Sequence, residues 1–206
     1  MMFLADSSED PKVIEKEIGA EVGQLLTPLT RFSDRGLKYA IDNGAFSDFN
    51  ANGFLSLIER QADSLDRCLF VAVPDVVGSA RRTSELFSYW TDKIRSKVRG
   101  FPIAYVIQDG IENVDIPWDY IAAIFVGGTT WFKESVHAKH AIRAAQILNK
   151  WVHVGRINTP NRWSYFESLG ADSCDGSGLS RYSFMRKEIM SPSLYSLQSE
   201  DNGIAK

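Results

Sequence analysis

Several runs of apolar residues end in an acid, an amide or glycine. They close on Asp42 and Asn43, Asp75, Gln108 and Asp109, Gly127 and Gly128, Gly155 and Arg156, and Asp172 with Asp175. Paired carboxylates suit attack at an anomeric carbon, one as nucleophile and the other as acid or base, as in retaining glycoside hydrolysis. An acid, a carboxamide and two glycines suit a planar ring that carries amide groups. The carboxylate accepts from ring N–H and amino groups, and the Gln side chain donates to or accepts from the ring edge. Gly127 and Gly128 permit close backbone approach, with N–H groups directed at a ring carbonyl. Together these residues point to a nucleobase and its glycosidic bond. A single Asp at such a position is usually a turn former; four ends each supplying an acid or amide form a pattern.

Other chemistries find less support. No Ser-His-Asp order and no phosphate-binding glycine loop is present. His153 lies inside an apolar run and reads as a packed core histidine. Glu134 and His137 have helical metal-pair spacing, but the pattern occurs once, whereas bundle metal sites use two. His137 and His140 read as a solvated helix face. Cys68 and Cys174 are too few for a disulfide framework or a multi-cysteine zinc site, and Cys68 reads as a small hydrophobe. No metal and no cofactor is expected.

The elements that must position these residues alternate. Strand-like runs are GQLLTPL (23–29, the weakest), LKYAIDNG (37–44), CLFVAVPD (68–75), FPIAYVIQDG (101–110), YIAAIFVGG (120–128), WVHVGRI (151–157) and GADSCDGSG (170–178). Most are nearly continuous in apolar residues, as strands buried on both faces should be. Helical patterns lie between them. Gly53 to Asp66 aligns Phe54, Leu57, Ile58 and Leu65; Ser79 to Lys97 aligns Leu86, Phe87, Trp90 and Ile94; Glu134 to Lys150 is rich in Ala, Ile and Leu. Pro160 to Leu169 follows Thr159 as N-cap, with Pro160 in the first helical position. Such alternation implies a parallel sheet. Seven runs, with an eighth left open, predict a compact (β/α)8 TIM-like barrel without a zinc-binding insertion, over residues 1–190. An open doubly wound sheet is the competing architecture. In a barrel the strand ends listed above converge on one face, where the active site lies. Residues 191–206 read as a polar tail.

The chain of 206 residues is long enough for one domain, with 44% apolar and 24% charged residues. Its net charge of −3 disfavours coating nucleic acid by bulk electrostatics and leaves room for a local basic patch. No apolar run reaches membrane-spanning length. The opening MMFLADSSEDPK turns acidic after five residues and makes a poor signal peptide. Two cysteines and no such leader fit a cytoplasmic setting.

The ordered motifs resemble the tRNA-guanine transglycosylase superfamily, and most closely its compact phage branch that inserts 7-deazaguanines into DNA. DNGAFS (42–47) is similar to the family's DSGGFQ-type segment. VPDVVG (73–78), VIQDG (106–110) and IFVGG (124–128) follow in the family's order, and WVHVGRINTP with SLGADSCDGSGLSR (151–181) resembles its last block. The resemblance runs from about Ala40 to Arg181. It implies that Asp175 is the nucleophile and Asp42 the acid or base acting on the base's ring proton. Asp75, Gln108, Gly127 and Gly128 would then recognise guanine. The implied reaction is ping-pong exchange of guanine in DNA for a free 7-deazaguanine, such as the cyano- or aminomethyl-substituted base, through a covalent aspartyl–sugar ester. The host cytoplasm is the implied setting for a phage enzyme.

Asp172 is the rival nucleophile; at strand spacing it and Asp175 face opposite ways. Asn43, Ala45 and Ser47 depart from the Ser, Gly and Gln of the tRNA-enzyme motif. The three-Cys, one-His zinc cluster of the tRNA enzymes has no counterpart here, which favours DNA. Among Arg156, Arg162, Arg181, Arg186 and Lys187, Arg156 and Arg181 are the leading backbone contacts. Trp131 and Phe132 are read equally as base-stacking or packing residues. A target base must leave the duplex stack. The alternatives are a tRNA transglycosylase or nucleoside hydrolase using the same acids, and a non-catalytic nucleobase- or nucleic-acid-binding subunit.

Overall fold

The computed structural model describes residues 1–6, 9–30, 35–47 and 49–190. The expected polar tail at 191–206 lies outside them. Eight strands, all parallel, close into a barrel in sequence order: β1 (Met2–Ala5), β2 (Val22–Leu26), β3 (Tyr39–Ile41), β4 (Cys68–Ala72), β5 (Ile103–Ile107), β6 (Ala123–Val126), β7 (Trp151–Val154) and β8 (Ser173–Asp175). The open-sheet alternative is therefore excluded. β1 falls on the opening MMFLA, which sequence reading weighed only as a leader. It pairs with both β2 and β8, Phe3 opposite Val22 and opposite Cys174, and so closes the ring.

Helices cover the outside: α1 (Pro11–Ile18), α2 (Ala51–Arg60), α3 (Ala80–Lys97), α4 (Thr130–Lys133), α5 (Val136–Ile147), α6 (Pro160–Ser168), α7 (Ser177–Arg181) and α8 (Ser183–Met190). Their starts follow capping chemistry. The side chains of Asp10, Asn50, Ser79, Thr129, Ser135 and Thr159 each accept a backbone N–H of the first turn. The expected helix at Glu134 to Lys150 is present as α5, starting two residues later because Ser135 caps it, and the single turn of α4, not expected from sequence, precedes it. In α3 the buried stripe is Ala80, Thr83, Phe87, Thr91 and Ile94; Leu86, expected on it, faces solvent.

Two apolar clusters show how the strands are used. One lies under the helices and takes Phe3, Tyr39, Ile41, Tyr105, Ile107, Ile124, Val126, Val152, Val154 and Cys174, among others. The second fills the ring itself with Leu4, Leu25, Ala40, Phe70, Ala104 and Ala123, packed against Phe125 and Trp151. Alternate residues of a strand point to opposite faces, and these two sets keep that alternation strand by strand. The inward set is small or medium on β3, β5 and β6 (Ala40, Ala104, Ala123), which leaves room for Phe70 and Phe125, whose rings meet edge to face with centroids 6.3 Å apart.

The last helix is fastened by a buried cation. Arg186 of α8 is fully buried, donating to Glu17 of α1 at 2.6 Å, to Glu9 at 2.8 Å, and to the carbonyl oxygens of Leu179 and Ser180 at 2.8 and 3.3 Å. Replacing Arg186 with Met leaves Glu17 Oε2 and two carbonyls without their guanidinium donor, while Ser183 still donates to Glu17 Oε1. The expected loss is on the order of 2–3 kcal/mol, below that of a fully buried pair because Glu9 keeps access to water. Urea unfolding of Arg186→Met against the parent chain measures it.

Candidate active site

Inward-facing positions continue past the strand ends. Two residues beyond Ala40 is Asp42; four beyond Ala104 is Gln108; four beyond Ala123 is Gly127; four beyond Trp151 is Gly155; and Ser173 leads to Asp175. Lower in each strand this row packs the ring; at the carboxyl ends it becomes a pocket. Its lining includes Asp42, Asn43, Phe46, Asp75, Gln108, Phe125, Gly127, Gly128, Arg156 and Asp175, around a cavity of about 80 Å³. A wider groove of about 680 Å³ adjoins it, sharing Asp42, Phe46, Arg156 and Asp175 and adding Asp6, Thr27, Thr30, Ser177 and Arg181. Asp42, Asp75, Gln108, Gly127, Gly128 and Asp175, the six residues to which the resemblance gives roles, thus meet in one pocket together with Arg156. Arg181 lies on the outer groove.

Asp175 is 9% exposed and held at both oxygens. Oδ1 accepts the Arg156 backbone N–H at 3.0 Å, and Oδ2 lies 3.1 Å from Nε2 of His153. Asp172 is elsewhere. Its Oδ2 accepts the Val152 N–H at 2.7 Å and fixes the start of β7, so the rival acid has no place in the pocket.

Arg156 has φ of +60°, a conformation uncommon for a residue with a side chain. That twist turns its N–H onto Asp175 and carries its guanidinium across the mouth. Nη2 donates to the Gly128 carbonyl at 2.6 Å, and the guanidinium lies 4.0 Å from the centre of the Phe46 ring. Phe46 is 64% exposed and forms one wall of the entrance.

Asp75 is oriented by amides on both sides. Asn43 donates to Oδ1 at 3.0 Å and also to the Val73 carbonyl, while Gln108 donates to Oδ2 at 3.3 Å. This gives Asn43 a supporting task. Gln108 is fully buried, and its amide is largely spent on the loop after β4. Nε2 also faces the Val76 carbonyl at 3.0 Å and Thr83 Oγ1 at 2.7 Å, and Oε1 accepts the Gly78 N–H at 2.7 Å. Gln108 therefore shapes the recognition wall rather than offering a free ring-edge donor. Gly127 differs from expectation in a similar way, because its N–H is bonded to the Ile107 carbonyl at 2.9 Å. Among the described residues nothing accepts the Gly128 N–H. Gly128 has φ of +71°, and a Cβ there would stand 2.6 Å from Asp109 Oδ2. Asp109 in turn accepts from the Thr129 N–H at 2.8 Å and hydroxyl at 2.7 Å, which pins this loop.

Crowding of acids sets the electrostatics. Burial, then the charges of Asp175 and Asp75, push the Asp42 carboxyl up to about 7. Burial also raises Asp75, against the hydrogen bonds from Asn43 and Gln108 and the charge of Arg156. Behind the pocket Lys133 is 2% exposed, and its Nζ donates to the Gly155 carbonyl. Burial first, and Arg156 second, bring its ammonium down to about 7. Sequence reading missed Lys133, which looks like an ordinary residue of a surface helix. His153 was read as core packing; it is fully buried, yet it touches Asp175.

The other basic candidates serve structure. Arg162 pairs with Glu134 at 3.0 Å, Arg186 is the buried fastener, and Lys187 stands 3.9 Å from Glu17. Trp131 is 88% exposed, whereas Phe132 is buried. His137 and His140 face solvent. Among the described residues no three His, Cys, Asp or Glu side chains gather as a metal site, and no helix is long and apolar enough to cross a membrane.

No family model matches this chain, and no curated protein matches it in sequence. Its fold is similar to that in the crystal structure of the Amycolatopsis orientalis BexX/CysO complex, with a TM-score of 0.54 and 15% identity over 100% of this chain and 92% of that one. A chain of the tryptophan synthase α2β2 complex from Pyrococcus furiosus matches with a TM-score of 0.43 and 12% identity, over 91% of this chain and 94% of that one. At such identities the first likeness is one of fold.

The Asp42 shift carries a sign. A carboxyl raised in the folded chain stabilises the fold at low pH and loses that contribution as pH climbs towards 7. Asp42→Asn, neutral throughout, is expected to match the parent near pH 4. It should become more stable from pH 4 to pH 7 by up to about 1.4 kcal/mol per unit, and hold that lead above. Denaturant melts across this range test it; a lead that shrinks with pH overturns the assignment.

Proposed function

We propose that this chain is a DNA guanine transglycosylase that exchanges guanine for a 7-deazaguanine base through a covalent aspartyl–sugar ester. The observation that carries the reading is the meeting of Asp42 and Asp175 in one pocket beside an oriented Asp75 and the unpaired Gly128 N–H. Asp175 attacks C1′ of the sugar from the side opposite the base. The C1′–N9 bond breaks, its electron pair leaves with guanine, and Asp42, near half-protonated at neutral pH, supplies the proton that neutralises the departing ring. The incoming base gives its N9 proton to Asp42. Its nitrogen then displaces Asp175, and two inversions leave the sugar configuration unchanged.

Recognition follows from what remains free at the wall. Asp75 faces the ring N1–H and exocyclic amino group, and the Gly128 N–H faces the ring carbonyl. Both contacts ignore position 7, so guanine and 7-deazaguanines share the site. The outer groove, with Arg156, Arg181 and the hydroxyls of Thr27, Thr30 and Ser177, suits the sugar–phosphate of an extruded nucleotide. The net charge of −3 makes that contact local.

The test is incorporation of a labelled 7-deazaguanine, or of labelled guanine, into guanine-containing DNA, with tRNA and free nucleosides run alongside. Wild-type protein is expected to label DNA and to form a denaturation-resistant protein–DNA adduct. Asp175→Ala should lose exchange by more than about 10⁴-fold, and Asp42→Ala by roughly 10²- to 10⁴-fold. Labelling of tRNA alone reassigns the polymer, base release without labelling makes the chain a hydrolase, and binding without any adduct makes it a non-catalytic subunit.

A further inference from the structure

The barrel interior holds a polar file that its apolar lining does not require. On β7 and β8 the inward residues are Trp151, His153, Ser173 and Asp175, where the other strands supply Leu4, Leu25, Ala40, Phe70, Ala104, Ala123 and Phe125. Three contacts join them. Trp151 Nε1 donates to Ser173 Oγ at 2.8 Å, Ser173 Oγ lies 2.9 Å from His153 Nδ1, and His153 Nε2 lies 3.1 Å from Asp175 Oδ2. The ring is fully buried, with the Phe70 and Phe125 centroids 5.0 and 4.6 Å away.

The direction of this file is set by its far end. An indole N–H only donates, so Ser173 Oγ accepts there and has one hydrogen left to give. With that hydrogen donated to Nδ1, this nitrogen carries none, and the imidazole proton sits on Nε2 and points at Asp175, the tautomer that gives the carboxylate a donor. In this arrangement every polar atom of the file has a partner. Among the described residues Asp175 is the one charged group bonded to His153. On its other side Asp175 meets the Arg156 N–H and the charges of Asp42 and Lys133.

We propose that His153 is a positioning residue for Asp175, a fixed Nε2–H donor that, with the Arg156 N–H, clamps both carboxylate oxygens and sets the plane from which the acid attacks. A neutral donor serves each stage alike. It holds the free carboxylate, stays bonded to the carbonyl oxygen of the ester, and steadies the carboxylate as it leaves. No proton is transferred along the file. The attack step rests on the transglycosylase reading above; the clamp itself does not.

Two measurements separate these. In ¹⁵N-imidazole-labelled intact protein at neutral pH, nitrogen shifts should show the proton on Nε2 and an unprotonated Nδ1. A proton on Nδ1, or on both nitrogens, overturns the clamp whether or not the protein exchanges bases. In the exchange assay His153→Leu, checked for an intact fold by its thermal melt, should lower kcat between about 10- and 100-fold, with little change in KM for the free base. His153→Gln can accept from Ser173 and donate to Asp175, and should recover most of the loss. Equal rates for Leu and wild type, or a Gln variant no better than Leu, overturn the proposal. Absence of exchange in the wild type removes the transglycosylase reading and leaves the nitrogen shifts to decide the clamp.

Discussion

A ring of eight short parallel strands allows each residue one of two directions, and everything at the site depends on that restriction. Outward residues are mostly apolar because helices lie on them, buried Gln24 being an exception. Inward residues must fill the ring through its depth and are released from that demand only at the rim. The rim positions therefore carry the acids, amides and glycines, while the same rows lower down carry Leu4, Leu25, Ala40 and Phe70. The pocket is the unfilled top of the core. Its rigidity comes from the same hydrogen-bond ladder that holds the barrel, as Gly127 illustrates by giving its N–H to β5.

Three carboxylates around one small cavity would repel one another if all were ionised and bare. The structure answers differently at each. Asp175 is held by two N–H donors, Asp75 by two amides, and Asp42 by the loop that follows it, with its carboxyl brought to about 7. Environment thus divides chemically identical side chains into different tasks. Lys133 and Arg156 contribute positive charge from behind and above, and Arg156 accepts an unfavourable backbone angle to reach both Asp175 and the Gly128 carbonyl.

Much of this was legible beforehand, for identifiable reasons. A parallel sheet followed from alternation, with the number of runs favouring a barrel over an open sheet, and Asp42, Asp75 and Asp175 stood out because acids interrupt apolar runs at the strand ends. What stayed hidden was direction. In β6 and β7 nearly every residue is apolar whichever way it faces, so His153 could not be told from a core histidine until the neighbouring strands were in register. Gln108 and Gly127 were correctly placed, but a side chain or N–H at the rim can serve the scaffold or a ligand, and spacing does not distinguish them. β1 escaped because an apolar pentad followed by acids resembles the start of a chain more than a strand, and its partners lie at residues 22–24 and 173–175.

That last pairing has a consequence for assembly. β8 carries Asp175 and docks on β1, so the seam where the cylinder zips shut is also where the proposed nucleophile is delivered. A sheet of the first seven strands alone would hold Asp42, Asp75 and Gln108 at its strand ends yet lack Asp175. The pocket that holds Asp42, Asp75 and Asp175 together is thus complete only when the cylinder is.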